Sequence, residues 1–524
     1  MEESKTFDSN TIWAQQGSYQ PRKGNELQIL IDGQAAYQEI ADAFKKAKKF
    51  IYMTISFGDK DFLLVPESEE IFFNILRFRS IEGVDVRMVI WQPADLNTED
   101  TIPDPAPGNI PGINNGPGSI QARWDKAPGI NGRNTSPNSI YQDVDLTPKM
   151  GCHHQKTYIM DDGDGGYVAF VGGINPVQSY WDTPAHDSLD SRRVEWKADP
   201  IKGEKGLEKN PPLHDIFYRI KGPAVADVLS NFVERYNGAN IPYTGLTSDA
   251  EELVTWNQIL EVADGIEVQV LRTIAPNTYP ALPRGDQGIR EFYLKALKNA
   301  GAGSLVYIEN QYFFDHGIIS EIHEAAERGA RIIALLTWRP DEGLLTGKVE
   351  KVLENIAHYK EMFPLVAGHL NVVLLTLGNC RPDPRSQREF ILSETYIHSK
   401  TMAVITPDWA VITGGSANIA FTSMWFHSEM NIAFVDTNLI KNWVAQLWSE
   451  HLEISVVDAM WYLERPDDAF TFFRLQAENN LKALNNKQVP EGRVYDWKNT
   501  TFPPRDLTSI NLGEVKVGEG CRQG

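Results

Sequence analysis

The 524-residue sequence is short of cysteine and has no long apolar run. It has three cysteines, Cys152, Cys380 and Cys521. Three is a small and odd number, so no disulfide framework is expected. No stretch of about 18 apolar residues occurs, so no transmembrane segment is expected. The first residues, from Met1 to Lys5, are polar and do not resemble a signal peptide. The sequence therefore predicts a cytoplasmic protein by default, and signal-independent secretion remains the alternative.

Positive charge is also scarce. The chain carries 50 Lys and Arg residues against 70 Asp and Glu residues, a net charge of −20. Nucleic-acid binding depends on basic side chains that neutralise phosphates, so this balance argues against a nuclease. It also disfavours anionic membrane surfaces. One local positive pocket could still hold a single phosphodiester. The hydrophobic fraction of 42% is that of a globular protein, and the length suits about two domains.

A short pattern of histidine and lysine occurs twice. His154 and Lys156 are two residues apart, and His398 and Lys400 repeat this spacing 244 residues later. If each copy is a strand, its two side chains share one face. A base or nucleophile beside a fixed positive charge suits an anionic, phosphate-like group.

Both copies continue in the same way. An apolar strand is followed by two small residues and then an asparagine: Gly172-Gly173-Ile174-Asn175 in the first copy and Gly415-Ser416-Ala417-Asn418 in the second. The spacing from histidine to asparagine is 21 residues in one copy and 20 in the other. Small residues let the backbone approach a ligand closely, and an asparagine amide can donate hydrogen bonds to an oxyanion.

The surrounding secondary structure is duplicated too. Apolar periodicity predicts helices over 36–48 and 69–81 and strands over 50–57 and 84–91. The same order returns as helices over 290–299 and 318–328 and strands over 305–313 and 331–338. Helices that alternate with apolar strands predict an α/β fold. With a linker at 247–252, we expect an N-terminal half over 26–246, a C-terminal half over 253–486 and a surface tail over 487–524. Residues 94–150 are rich in Pro and Gly and are expected to form a rim or lid.

These motifs resemble those of the phospholipase D superfamily, whose signature is His-x-Lys-x4-Asp followed by Gly-Gly/Ser-x-Asn. Ile-Glu-Asn-Gln-Tyr-Phe at 308–313 and His-Asp-Ile at 214–216 are similar to the eukaryotic-type enzymes. The resemblance covers about residues 26 to 465 and is closest to minimal, bacterial-like members. It implies a duplicated phospholipase D fold, in which two α/β sandwich halves with central mixed sheets are related by pseudo-two-fold symmetry.

The resemblance also implies a ping-pong phosphodiesterase. One motif histidine attacks phosphorus and forms a phosphohistidine, and the other protonates the leaving alcohol. We assign the nucleophile to His154, as in family members with a known order, and the acid to His398. The family's orienting carboxylates match Asp215 and Glu429 by position, with Glu429 holding His154 and Asp215 holding His398. No metal and no cofactor are expected. The phosphate would be held by the following side chains and small residues: Lys156, Lys400, Asn175, Asn418, Gly173 and Ser416.

The second motif departs from the signature. Asp161 follows Lys156 by five residues, but the equivalent position after Lys400 is Ile405. Five is an odd offset, so on a strand this residue points away from the face that carries the histidine and the lysine. We therefore expect Asp161 to support the strand end rather than to contact phosphate, and we expect activity to survive the replacement in the second copy.

The resemblance implies a phospholipase D that acts as a monomer on phospholipid at a membrane or micelle surface, converting phosphatidylcholine to phosphatidate and choline, with transphosphatidylation. A choline headgroup favours aromatic faces, so four aromatic residues near the motifs are candidates. They are Tyr180, Trp181, Tyr307 and Trp425. The alternatives are a phosphodiesterase for another substrate, such as nucleic acid or a cardiolipin-type lipid, and a degenerate member that only binds phospholipid.

Overall fold

The computed structural model describes residues 11–17, 19–56, 58, 62–91, 120–125, 152–198, 205–209, 212–238, 241–242, 260–276, 278, 282–338, 364–382, 390–486 and 488–500. The predicted linker at 247–252 and most of the Pro- and Gly-rich segment at 94–150 lie outside these residues. Within the described ranges, none of the helices has the length and apolar character needed to cross a membrane.

The fold alternates strands and helices, as the hydrophobic periodicity predicts. The strands of the N-terminal part are β1 (Arg22–Ile31), β2 (Phe50–Ile55), β3 (Leu63–Val65), β4 (Glu70–Ile71), β5 (Asp85–Trp91), β6 (Gln121–Asp125), β7 (Lys156–Asp161), β8 (Tyr167–Gly172), β9 (Val194–Ala198), β10 (Lys205–Lys209), β11 (Leu213–His214), β12 (Ile216–Lys221) and β13 (Ile241–Pro242). Those of the C-terminal part are β14 (Ile266–Ile274), β15 (Asp286–Gln287), β16 (Leu305–Asn310), β17 (Arg331–Leu336), β18 (Val372–Pro382), β19 (Phe390–Ile397), β20 (Lys400–Ile405), β21 (Ala410–Gly415), β22 (Glu429–Val435) and β23 (Val494–Asp496).

The helices are α1 (Asp32–Lys46), α2 (Phe72–Ile81), α3 (Val225–Gly238), α4 (Gly288–Lys298), α5 (His316–Glu327), α6 (Phe421–Trp425), α7 (Thr437–Leu452), α8 (Val456–Leu463) and α9 (Pro466–Asn485). Each of the four helices predicted in the duplicated units is present within a few residues of its expected bounds.

Strand pairing shows the duplication directly. In the first half the pairing order is β6-β5-β2-β7-β8-β12-β1, and in the second it is β18-β17-β16-β20-β21-β22-β14. In each half the first three strands are parallel and the remaining pairs are antiparallel, so both sheets are mixed. The two sheets meet where β1 pairs antiparallel with β14. The chain therefore has the duplicated α/β fold that the repeated motifs predict.

Three large hydrophobic cores hold these layers together, and a small fourth cluster surrounds Leu392 and Tyr495. One packs α1 and α2 against the first sheet, and a second packs α4 and α5 against the second sheet. The largest core is shared, because it contains apolar residues from both sheets together with α3, α7, α8 and α9. The motif strands β7 and β20 lie at the centre of their sheets and all their residues are buried. The site residues at their ends are therefore anchored on the most constrained part of each half.

Two segments differ from the expectations. Residues 121–125, within the segment expected to be an irregular rim, form strand β6 and pair in parallel with β5. Residues 494–496, within the expected surface tail, form β23 and pair antiparallel with β18. Val494 and Tyr495 are fully buried, so this part of the tail completes the second half. Neither strand has enough residues for an apolar pattern to stand out in the sequence.

Candidate active site

Each motif histidine comes just before a central strand, and each is anchored by the opposite half. The backbone N–H of His154 donates to the carbonyl of Ser428 at 3.0 Å. The backbone N–H of His398 donates to the carbonyl of His214 at 2.8 Å. These contacts are equivalent, because Ser428 precedes Glu429 as His214 precedes Asp215. Backbone hydrogen bonds thus hold each motif against the carboxylate-bearing segment of the other half.

The carboxylates are exchanged between the halves. His154 Nδ1 lies 3.0 Å from both carboxylate oxygens of Glu429, and His398 Nδ1 lies 2.5 Å from Asp215 Oδ2. A carboxylate that accepts the Nδ1–H of an imidazole fixes the ring and leaves Nε2 with its lone pair. This crossed arrangement is the one that the sequence resemblance implies.

The small residues beside the asparagines contact the carboxylates. A Cβ at Gly173 would lie 2.5 Å from Asp215 Oδ2, so only glycine fits there. At the equivalent place the Ser416 hydroxyl donates to Glu429 Oε2 at 2.6 Å. The same hydroxyl accepts the backbone N–H of Met430 at 3.0 Å. We expected Gly173 and Ser416 to bind phosphate, but the structure places both against the orienting carboxylates.

The two lysines are buried, and the charge of Lys156 acts on Lys400. Lys156 Nζ donates to the carbonyl of His154 at 2.8 Å, and Lys400 Nζ donates to the carbonyl of His398 and to Gln311 Oε1, the latter at 3.2 Å. Burial lowers the pKa of Lys156 to about 8 and that of Lys400 to about 7. The charge on Lys156 contributes to the lowered pKa of Lys400. The two motifs therefore form one electrostatic unit.

The histidines also interact. Burial lowers the pKa of His398 well below its usual range, and the charges of Lys400, Lys156 and His154 lower it further. Burial lowers the pKa of His154 to about 4, although Glu429 acts in the opposite direction. The His154 side chain is 20% exposed, whereas that of His398 is 3% exposed. At neutral pH His154 is thus a neutral imidazole, and it is the more accessible of the two.

The carboxylates differ in charge state. Burial raises the pKa of Asp215 to about 7, although Lys400 opposes the change. Burial also acts to raise the pKa of Glu429, but His154 and His427 outweigh it and hold the pKa well below its usual range. Glu429 is therefore an anion at neutral pH.

The two asparagines lie at the ends of β8 and β21. Asn175 Oδ1 accepts the backbone N–H of Ser56 at 3.2 Å, which leaves its amide NH₂ as a donor. Asn418 is buried, and its Oδ1 accepts no hydrogen bond from the described residues. Both positions suit the predicted role in phosphate binding, which stays a prediction.

Only one of the four predicted headgroup residues lies beside a motif histidine. The Tyr180 ring is centred 4.8 Å from the His398 ring. Trp181 and Trp425 are core residues whose rings are covered by Arg192 and Arg290, respectively. Tyr307 is also fully buried, and its hydroxyl donates to Glu309 at 2.5 Å. The headgroup prediction is wrong for these three residues, because their apolar surfaces pack in the cores.

Asp161 supports the end of its strand. Its carboxylate accepts the backbone N–H groups of Lys48, Lys49 and Phe50 at 2.7 to 3.1 Å. These groups lie between the end of α1 and the start of β2. Ile405, at the equivalent position, is buried and pairs with Leu305 and Ala410. Asp161 thus has no contact with the histidine face, in agreement with the odd offset.

Sequence reasoning missed several residues around the histidines. The His427 ring is centred 5.9 Å from the His154 ring, and His427 Nδ1 lies 3.4 Å from Glu429 Oε1. Burial acts to lower the pKa of His427, but Cys152 and Glu429 raise it to about 10. The Tyr396 ring stacks 6.2 Å from that of His398, and its hydroxyl accepts from Gln311 Nε2 at 2.6 Å. The only signal was position: His427 is two residues before Glu429, and Tyr396 is two before His398.

Comparisons with known proteins show the family of this chain. The family model described as Phospholipase D matches residues 43–335, more than half of the chain. Phospholipase D A of Dictyostelium discoideum is 23% identical over 493 residues, which cover 81% of this chain and 35% of that protein. Phospholipase D beta 1 of Arabidopsis thaliana is 24% identical over 585 residues, covering 87% of this chain and 52% of the relative. The chain thus spans about half or less of the length of these two relatives.

Among solved structures, the phosphatidylserine synthase of Haemophilus influenzae Rd KW20 aligns over 90% of this chain and 98% of its own length. The TM-score is 0.48 and the sequence identity is 13%.

Proposed function

Because this chain belongs to the phospholipase D family, we propose that it hydrolyses the distal phosphodiester bond of glycerophospholipids through a phosphohistidine. One observation carries the proposal: two imidazoles from different halves, each held by a carboxylate from the other half, lie in one electrostatic unit with two buried lysines. A nucleophile and a separate acid are what double displacement at phosphorus requires. We also retain residues 26–246 and 253–486 as the two catalytic halves.

In the first step His154 Nε2 attacks phosphorus, and the bond from phosphorus to the headgroup oxygen breaks. Burial keeps His398 neutral in the free protein, but the anionic phosphate of a bound substrate favours the charged imidazole, so His398 takes up a proton when substrate binds. It transfers this proton to the headgroup oxygen, so the headgroup leaves as a neutral hydroxyl. In the second step water transfers a proton to His398 while its oxygen attacks phosphorus, and the bond from phosphorus to His154 breaks. An alcohol in place of water gives transphosphatidylation.

The nucleophile is assigned to His154 because its side chain is 20% exposed, against 3% for His398. Lowered pKa values keep both rings neutral in the free protein, so charge state does not distinguish them. A nucleophile needs both a lone pair and access to the phosphorus atom. His398, which is covered on one side by Tyr180 and hydrogen-bonded to Asp215, is assigned the role of the acid.

The negative charge that develops on phosphate is stabilised by Lys156 and Lys400, with the amides of Asn175 and Asn418 as hydrogen-bond donors. Preorganised donors in a water-poor site act strongly on developing charge, because they need no reorganisation during the reaction. The roles of Gly173 and Ser416 are to admit and hold the carboxylates rather than to bind phosphate.

Phosphatidylcholine is the proposed substrate, and Tyr180 is the remaining aromatic candidate for contact with choline. The net charge of −20 disfavours nucleic acid as the alternative. If Tyr180 selects choline, Tyr180→Ala lowers hydrolysis of phosphatidylcholine more than that of phosphatidylglycerol. Equal losses on both lipids would remove this role.

The decisive test is release of choline from phosphatidylcholine vesicles by the purified chain. We expect turnover by the wild type, formation of phosphatidylethanol when ethanol is added, and no turnover by His154→Ala or His398→Ala. His369→Ala is the matched control, since this ring pairs with Glu327 on the surface and should leave activity unchanged. Absence of lipid turnover by folded wild type, with degradation of single-stranded DNA instead, would replace the proposal with a nuclease. Binding of vesicles without turnover of either would identify a non-catalytic member.

A further inference from the structure

A second group of histidines and carboxylates lies outside the active site, where the two halves meet. Four side chains converge there: Asp32 at the start of α1, His186, His214 in β11, and Glu450 in α7. The first three side chains are at most 1% exposed, and that of Glu450 is 10% exposed. Their ligand-type atoms all lie within 4.8 Å of one another.

The individual distances fit a shared cation. His186 Nε2 lies 3.0 Å from Glu450 Oε1 and 3.6 Å from Asp32 Oδ2. His214 Nδ1 lies 2.9 Å from Asp32 Oδ1 and 3.6 Å from Glu450 Oε1. Ligands at about 2.0–2.1 Å from a tetrahedral zinc ion are separated by about 3.3 Å, so these spacings bracket the required value.

One buried oxygen points to an additional occupant. Asp32 Oδ2 is inaccessible to solvent and accepts no hydrogen bond from any described residue. The donor His186 Nε2 lies 3.6 Å away, which is too far for a hydrogen bond. A buried carboxylate oxygen that lacks a hydrogen bond is costly, because it has lost its water. A cation between Asp32 and His186 removes that cost.

The outer nitrogens of both imidazoles are held as those of zinc ligands usually are. His186 Nδ1 lies 3.0 Å from Asp182 Oδ2, and His214 Nε2 lies 3.0 Å from Glu309 Oε2. Asp182 also accepts from Arg193 Nη1 at 2.5 Å. Carboxylates on the far nitrogen fix the tautomer and the orientation of a metal-binding histidine. Each ring therefore has one nitrogen held from outside and one directed at the centre of the cluster.

We propose that Asp32, His186, His214 and Glu450 bind one structural Zn²⁺ ion. Two imidazoles and two carboxylates are a ligand set that suits zinc, and four protein ligands leave no open position for catalysis. The ion joins the first half to helix α7 of the second. It also fixes His214, whose carbonyl accepts the backbone N–H groups of His398 and Ser399. The proposal is independent of the substrate of the active site.

The test is the metal content of the full-length chain, expressed with zinc in the medium, purified without chelator and dialysed. We expect about one zinc ion per wild-type chain, and little in His186→Gln or Glu450→Gln. Glu453→Gln and His369→Gln are the matched controls, because both residues pair on the surface. His427→Gln controls for a metal bound at His154, His427 and Glu429, which also lie within 4.8 Å of one another.

X-ray absorption at the zinc edge of the wild type provides a measurement that needs no variant. We expect two imidazole nitrogens and two carboxylate oxygens at about 2.0 Å, without sulfur. Wild type that carries no zinc, or that holds calcium or magnesium instead, would overturn the proposal. So would zinc that persists in His186→Gln, zinc that is lost in His427→Gln, or a zinc–sulfur distance in the spectrum.

Discussion

The two halves of this protein share strand order and motif, yet they surround their histidines differently. His154 is held by Glu429, whose carboxylate receives the Ser416 hydroxyl, and its ring is partly open to solvent. His398 is held by the shorter Asp215, which packs against Gly173, and its ring is covered. The longer carboxylate is paired with a side chain that binds it, and the shorter one with a residue that makes room for it.

This difference shows how a duplicated fold can give its two histidines different chemical roles, one as nucleophile and one as acid. Both imidazoles have one nitrogen on a carboxylate, so the exchange of carboxylates alone does not distinguish base from acid. Exposure and neighbouring groups do. His427 is a cation beside Glu429, whereas the equivalent neighbour of Asp215, two residues before it, is the apolar Leu213. The same geometry thus operates in two electrostatic environments.

The largest expected effect is the loss of either histidine. His154→Ala and His398→Ala should each lower turnover by about 10⁴-fold or more, because each removes one of two essential groups. The roles of the two histidines can be separated with a substrate whose leaving group needs no proton, such as a p-nitrophenyl phosphodiester. His398→Ala should still form the covalent intermediate from this substrate. Mass spectrometry should then find phosphate on His154. Phosphate on His398 in the converse variant, and none on His154, would reverse the roles.

The next effect concerns the serine that only the second half has. Ser416→Ala removes a hydrogen bond to an anionic carboxylate, a contact of about 1.5–3 kcal/mol, so turnover should fall by about tenfold or more. The substitution should act on kcat more than on KM, because Ser416 holds Glu429 rather than substrate. Ser423→Ala, a buried serine in α6, is the control. Equal losses in both variants would show a packing effect only.

A smaller effect concerns Asp161, which supports the end of β7, where the equivalent position of β20 is Ile405. Asp161→Ala leaves the N–H groups of Lys48, Lys49 and Phe50 without an acceptor, so the free energy of unfolding in urea should fall by about 2–4 kcal/mol. Turnover by the folded variant should remain close to wild type. Asp164→Ala, in the exposed turn after β7, is the control. A large loss of activity without a loss of stability would show that Asp161 acts in catalysis.

The smallest effect is a shift in the pH dependence. The His154 pKa of about 4 lies below the usual value near 6.5, so the nucleophile stays neutral as pH falls from 7 to 5. The pKa values of about 8 for Lys156 and about 7 for Lys400 mean that positive charge is lost as pH rises. We expect kcat/KM on a short-chain phosphatidylcholine to be higher at pH 5.5 than at pH 8.5. An acidic limb centred near pH 6.5 would contradict this.

The sequence predicts what is repeated. The four helices and four strands of the duplicated units and both His–Lys pairs could be foreseen, because each has a counterpart between 244 and 255 residues away. The exchange of Asp215 and Glu429, which lie 214 residues apart, is implied by the resemblance to the family and not by the repeat. The core strands are also recognisable as nearly continuous apolar runs, because they are buried on both faces.

What occurs once could not be foreseen. Strands β6 and β23 are short and lie in Pro-rich or polar surroundings, and only their sheet partners make them strands. The roles of Ser416 and His427 depend on their contacts with Glu429, and neither residue has an equivalent in the first half, where Gly173 and Leu213 occupy the matching positions. Asp32, His186, His214 and Glu450 span more than 400 residues with no common spacing. Their proximity exists only in the folded chain.

The reciprocal exchange of Asp215 and Glu429 carries an evolutionary consequence. Two identical subunits related by a two-fold axis make the same contact twice, so each would supply a carboxylate to the other's histidine. This chain has that arrangement within one polypeptide, as expected if the gene of a symmetric homodimer was duplicated and fused. Fusion frees the two copies to diverge, so that a difference such as Asp161 in the first copy against Ile405 in the second affects only one of them.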